Sequence, residues 1–167
     1  MFWCGDLNYR LVCHRVLVES AVKGRQLALL QQADQLKQEM RAGTVFAGFS
    51  EGPITFNPTY KFNPGTMDTY DTSAKQRTPS WTDRVLWRIN GATPASAVQL
   101  HSYTSLPGVV LSDHKYAADL ASAFLQPHTH RPVVAEFTVT LTRAEGGPHG
   151  SQVFGEVLHP SRWCCWQ

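Results

Sequence analysis

Hydrophobic and polar positions are spaced in three different ways along this chain, and each spacing predicts a different element. Phe2-Trp3-Cys4 is a short apolar run leading into Gly5-Asp6-Leu7-Asn8-Tyr9-Arg10, which predicts a buried strand with polar groups at its end. From about Val16 to Arg41, Val18, Val22, Leu29, Ala33, Leu36 and Met40 recur mainly at steps of three and four, the signature of one apolar helix face. Gly24 weakens the early part of that helix and Gly43 is a natural stop. Ile54, Phe56, Tyr60 and Phe62 then alternate with Thr55, Asn57, Thr59 and Lys61, a half-buried strand that Pro58 pushes to an edge or a bulge.

Asn63 to Ser80 reads as a loop rich in turn formers. Trp81–Ile89 reads as a strand, Thr104–Leu111 as a weaker one, and Val133–Leu141 as the clearest, with Val133, Ala135, Phe137, Val139 and Leu141 alternating with Glu136, Thr138 and Thr140. Tyr116 to Phe124 is Ala-rich and helix-like, wedged between a loop and a strand. The segment from 142 to 167 carries no usable periodicity and is expected to be an unstructured tail. Several strands with one long helix predict an α+β, layered α/β architecture.

Composition narrows the classes. With 167 residues and 43% apolar content the chain can bury a core and is not disordered by composition. No run approaches the roughly 20 apolar residues of a transmembrane helix, and Met1 to Asp6 lack the basic and apolar regions of a secretory signal. A net charge of +2 gives no argument for nucleic acid. Cys4, Cys13, Cys164 and Cys165 form neither a disulfide nor a zinc framework, which fits a reducing, cytoplasmic setting.

The chemistry-bearing residues gather at strand ends. Asp6 and Asn8 sit two apart, so in extended chain both side chains lie on one side. A carboxylate there can take a proton from water and an amide can donate to a phosphate oxygen; the same pair also reads as a plain strand-end turn. Ser112-Asp113-His114 follows apolar Val109-Val110-Leu111, and Asp83 is a candidate orienter for His114; a turn is the alternative here too. No Gly-x-Ser-x-Gly elbow accompanies Ser112. Lys61, Lys75, Arg77 and Arg84, with Tyr60 and Tyr70 interleaved, read either as an anion grip or as a solvated basic loop. His128 and His130 lie in a Pro/Thr-flanked stretch and read as exposed.

Taken in order, the segments are more specific than any one of them. Phe2 to Arg10, Asp34-Gln35-Leu36, Phe49 to Phe62, Tyr70 to Lys75, Arg77 to Trp87 and Ser112 to Lys115 closely resemble the inositol-polyphosphate 5-phosphatases of the synaptojanin and Lowe-syndrome-protein type. These belong to the endonuclease/exonuclease/phosphatase superfamily, and the resemblance resumes at Pro132 to about Leu141. It implies the C-terminal half of a four-layer β-sandwich catalytic domain over residues 1–141. It further implies Mg2+-assisted attack of water on the 5-phosphate of a phosphoinositide or soluble inositol polyphosphate, in the cytoplasm and at the membrane periphery. Asp6 resembles the residue that activates water, Asn8 a phosphate contact, and His114 a phosphate ligand oriented by Asp83, with Asp113 near the metal. Tyr60, Lys61, Lys75 and Arg77 resemble the grip on the 4-phosphate, and Arg84 is assigned to the same basic wall.

Two departures accompany the match. The metal-binding glutamate that the family carries in its N-terminal half has no counterpart here. Residues 116–131, sixteen in all, separate Lys115 from Pro132; removing them restores an uninterrupted Ser-Asp-His-Lys-Pro-Val, so they read as an insert of the retained-intron kind. The rival readings are a nuclease or sphingomyelinase-type enzyme and a non-catalytic phosphoinositide-binding fragment.

Overall fold

The computed structural model describes residues 1–66, 68–89, 91, 94–106 and 129–141, the side chains as far as 140, and the backbone of 156–157 and 161–165. Strand β1 (Phe2–Asp6) is followed by helices α1 (Arg15–Lys23), α2 (Leu27–Leu30) and α3 (Gln35–Ala42). Then come β2 (Ser50–Glu51), β3 (Asp83–Trp87), β4 (Val98–Ser105), β5 (Val133–Leu141), β6 (Glu156–Val157) and β7 (Ser161–Cys165). One antiparallel sheet runs β1-β3-β2; in the other, β5 pairs antiparallel with β4, β6 and β7. The layered α+β architecture is as the pattern and the resemblance imply.

Period-two alternation builds the core. On β5, Val133, Ala135 and Phe137 are buried while Val134, Glu136 and Thr138 are half-buried, so one face of the strand meets the other sheet. The Phe137 ring stands 5.0 Å from Phe2 and 5.1 Å from Trp87, both edge-on, and thereby joins the two sheets. Burying a side chain of that size contributes about 1.5–3 kcal/mol. Trp81, fully buried, donates its indole N–H to the Phe56 carbonyl at 3.0 Å and so fixes the 54–56 segment on the core.

The single helix expected from Val16 to Arg41 is three. α1 stops at Gly24, and Arg25 takes a left-handed φ of 54°, which turns the chain. Asp34 then begins α3 by accepting the Lys37 amide at 2.9 Å, and Gly43 (φ 73°) ends it in the left-handed region. These breaks rotate the faces, so Val18 and Leu36 are buried whereas Leu29 is 58% exposed. The expected strand at 54–62 is absent. Ile54, Phe56 and Phe62 are buried as the alternation requires, but the segment makes only isolated bridges, Tyr60 to Ser80 and His130 and Phe62 to Tyr70. Thr59 departs from the alternation and is fully buried, because its hydroxyl has a carboxylate to bond.

The strand expected at 81–89 is β3, and that at 133–141 is β5. The weaker strand expected at 104–111 begins earlier, as β4 from Val98 to Ser105; residues 107–111 lie outside the described residues. Tyr116–Phe124, the helix-like stretch, also lies outside them. The tail from 142 to 167, expected to be unstructured, contributes β6 and β7 to the edge of β5; pairing of backbone amides needs no side-chain periodicity. No helix among the described residues is long and apolar enough to cross a membrane.

Candidate active site

The end of the β1–β3 ladder places Asp6 directly opposite Asp83. Two carboxylates at facing positions repel, so the pairing needs compensation, and the surrounding groups supply it. Asp83 Oδ2 accepts from the Thr82 hydroxyl at 2.9 Å, from the Thr59 hydroxyl at 3.1 Å, and meets His130 Nδ1 at 3.1 Å. Asp6 Oδ1 accepts the backbone N–H of Asn8 at 2.7 Å. Asn8 sits at φ 57°, a conformation Asn tolerates better than most residues, and this turn carries its amide back over Asp6. Ligand atoms of Asp6, Asp83 and His130 all lie within 4.8 Å of one another. Asp83 is buried and Asp6 half-buried, so the cluster opens to solvent on the Asp6 side.

Cations and aromatic rings line the adjoining wall. The Arg10 side chain hydrogen-bonds the Asn8 amide oxygen and its guanidinium lies 4.3 Å from the Tyr60 ring centre. Tyr60 in turn packs 4.5 Å from the His130 ring. Lys61, half-buried, is 4.0 Å from Asp71, which organises the following loop. Asp71 is 2% exposed and accepts the amides of Ser73 and Arg77, each at 3.0 Å. Burial pushes the Asp71 carboxyl up, but the Arg77 and Ser73 hydrogen bonds and the Lys61 charge outweigh it and hold it at about 2. Lys75 and Arg77 are exposed on that loop. Arg131 stacks 3.9 Å over Phe62, and burial pulls its guanidinium below its ordinary range.

The structure therefore gathers Asp6, Asn8, Asp83 and Tyr60 at one place, with Lys61 next along the chain and Lys75 and Arg77 on the loop that Asp71 anchors. Asp113 and His114 lie outside the described residues. Arg84 does not belong to the wall. Its fully buried guanidinium forms a two-pronged pair with Glu51 at 2.6 and 2.7 Å and meets Asp34 at 3.0 and 3.1 Å. Its place beside the loop and the resemblance put Arg84 in the wall, but alternation along β3 sends neighbours to opposite faces, so Asp83 meets the cluster and Arg84 the interior.

Sequence reasoning missed Arg10 and His130. The signal for His130 was present: His130-Arg131-Pro132 runs without a break into the clearest strand. An apolar cavity of about 520 Å³, bordered by Val12, Cys13, Leu17, Leu29 and Leu30, includes none of these site residues.

A family model described as endonuclease/exonuclease/phosphatase family 2 matches residues 1–117. The chain belongs to this family. A mouse phosphatidylinositol polyphosphate 5-phosphatase type IV is 44% identical over 131 residues, covering 76% of this chain and 20% of that protein. Among solved structures, the inositol polyphosphate 5-phosphatase domain of SPsynaptojanin, in complex with inositol (1,4)-bisphosphate and calcium, is 41% identical with a TM-score of 0.61. That match covers 79% of this chain and 32% of the synaptojanin chain. A Cimex nitrophorin, as its ferrous NO complex, is 38% identical with a TM-score of 0.64, over 84% of this chain and 41% of its own. The chain thus spans about a fifth of the mouse relative and a third of the synaptojanin domain chain.

Magnesium prefers an octahedral shell of oxygens, and the described family residues do not complete one. Asp83 Oδ2 is filled by three partners, His130 offers nitrogen, and the Asn8 amide oxygen is held by Arg10. Asp6 keeps the accessible carboxylate, and an oxygen bound to a cation is a poor base for water.

Proposed function

We propose that this chain carries the water-activating and substrate-gripping part of a phosphomonoesterase that removes the 5-phosphate from a phosphoinositide or soluble inositol polyphosphate. The observation that carries the reading is the Asp6–Asp83 pair closed by the His130 imidazole, with Tyr60 packed on that ring and Arg10 over Tyr60. The names of the relatives support the substrate class. In this scheme Asp6 takes a proton from water, whose oxygen attacks phosphorus as the bond to the inositol oxygen breaks; that oxygen leaves and is protonated from solvent. Asn8 and the imidazole hold the phosphate, and the loop cations hold its 4-phosphate neighbour, spreading the charge that grows in the transition state. Mg2+, when bound with donors beyond the described residues, would neutralise phosphate charge. A lipid substrate places the protein at the membrane periphery.

Among the described residues the oxygen donors are fewer than an octahedral Mg2+ shell needs, which leaves room for a second reading, a non-catalytic phosphoinositide-binding unit. Phosphate release from inositol 1,4,5-trisphosphate and from phosphatidylinositol 4,5-bisphosphate vesicles, with and without Mg2+, separates the two. The enzyme reading expects Mg2+-dependent release that Asp6→Asn lowers by about 10²–10⁴-fold. Headgroup binding without release by the intact chain rejects it in favour of the binding unit.

A further inference from the structure

Two histidines in this chain, His114 before Lys115 and His130 before Arg131, are in contention for the same place. His114-Lys115 is separated from Pro132 by residues 116–131, whereas His130-Arg131 runs directly into Pro132 and the start of β5. We infer that His130, and not His114, is the histidine that serves Asp83 in this polypeptide, so that the sixteen-residue segment ending at Arg131 brings a replacement histidine with it. What that imidazole does to a substrate rests on the phosphatase reading above; where it sits does not.

The backbone decides the position. The Phe62 amide donates to the Thr129 carbonyl at 2.7 Å, the Arg131 amide donates to the Thr59 carbonyl at 2.9 Å, and Tyr60 bridges His130 between them. One step on, the Leu106 amide donates to the Pro132 carbonyl at 2.9 Å, at the point where β4 and β5 begin to pair. Residues 129–132 are thus clamped on both sides, and moving His130 away from Asp83 breaks main-chain hydrogen bonds as well as its own.

The side chain fits the role. His130 is 25% exposed, its Nδ1 is 3.1 Å from Asp83 Oδ2, and its ring packs on Tyr60. A contact with a carboxylate acceptor requires the proton on Nδ1, which turns Nε2 away from Asp83 as the atom that meets a phosphate oxygen. Asp83 Oδ2 already receives Thr59 and Thr82 besides His130. A carboxylate oxygen has about two lone-pair directions, so His114 would have to displace His130 to use the same oxygen.

The test uses the full chain, its His114→Gln, His130→Gln and Asp83→Asn variants, and low-temperature proton NMR of the ring N–H that a carboxylate shields from exchange with water. The resonance should be present in the wild type and in His114→Gln, and absent in His130→Gln and in Asp83→Asn, the last of which alters neither histidine. Loss in His114→Gln with retention in His130→Gln overturns the inference, as does its absence from the wild type. Turnover of inositol 1,4,5-trisphosphate gives the second arm. His130→Gln should lower it by about 10²–10³-fold, and His114→Gln should leave it within about twofold. If the resonance tracks His130 but the wild type releases no phosphate, the phosphatase reading fails and the assignment of His130 stands. If the wild type turns over and only His114→Gln abolishes it, the assignment fails and the phosphatase reading stands.

Discussion

Replacing Arg84 by Met discriminates between a guanidinium that holds substrate and one that holds the fold. The substitution keeps much of the volume and removes the charge, taking from Asp34 and Glu51, whose side chains are 0% and 5% exposed, the guanidinium that pairs with both. Arg84 now satisfies both carboxylates and the Trp81 carbonyl at 3.2 Å. Burial pushes its guanidinium down, but Glu51 and Asp34 outweigh this and hold it above its ordinary range. Breaking a buried pair by removing one partner costs about 3–5 kcal/mol, because the other charge stays buried and uncompensated. Against a typical domain stability of about 5–15 kcal/mol that is a large fraction.

Two further connections keep the cost from being relieved locally. Asp34 also caps α3 through the Lys37 amide, and Glu51 accepts the Tyr103 hydroxyl at 3.0 Å. Urea unfolding followed by tryptophan fluorescence should therefore show Arg84→Met losing about 3–5 kcal/mol. Adding Asp34→Asn and Glu51→Gln should recover a large part, because neither remaining group is then charged. An unchanged urea midpoint in Arg84→Met, together with weakened inositol phosphate binding, would refute this and return Arg84 to the substrate wall.

Asp71 gives a pH dependence. Its folded carboxyl lies at about 2 against 3.8 for the ordinary group, so its contribution is fully present above about pH 4 and fades as pH falls towards 2. The contribution is about 1 kcal/mol after solvent screening, and Asp71→Asn should flatten the urea midpoint across that window; an unaltered acid profile would exclude it. At Gly52 an added Cβ would meet Leu100 Cδ2 at 2.7 Å and Tyr103 Cδ1 at 2.8 Å. Gly52→Ala should therefore cost about 1–3 kcal/mol by overpacking, read as a lower Tm; a Tm equal to wild type would show that these side chains yield without strain.

The sequence alone determined the family and the strand at Val133–Leu141, and it singled out Asp6 and Asp83. Ordered segments from Phe2 to Lys115 are specific whatever their exact secondary structure, and alternation on β5 reports burial directly, because side chains in a strand lie on opposite faces. The breaks after Lys23 and at Asp34 were harder to see, since a period of three to four survives across a turn while the faces rotate. Only the tertiary structure decided which side of β3 faces the site, sending Asp83 to the Asp6 cluster and Arg84 to Asp34 and Glu51. It also brought His130 to Asp83, 47 residues away in sequence. Neighbours along the chain fix local pattern and motif. Long-range backbone pairing fixes which polar groups share an acceptor, and that pairing depends on where the loops return.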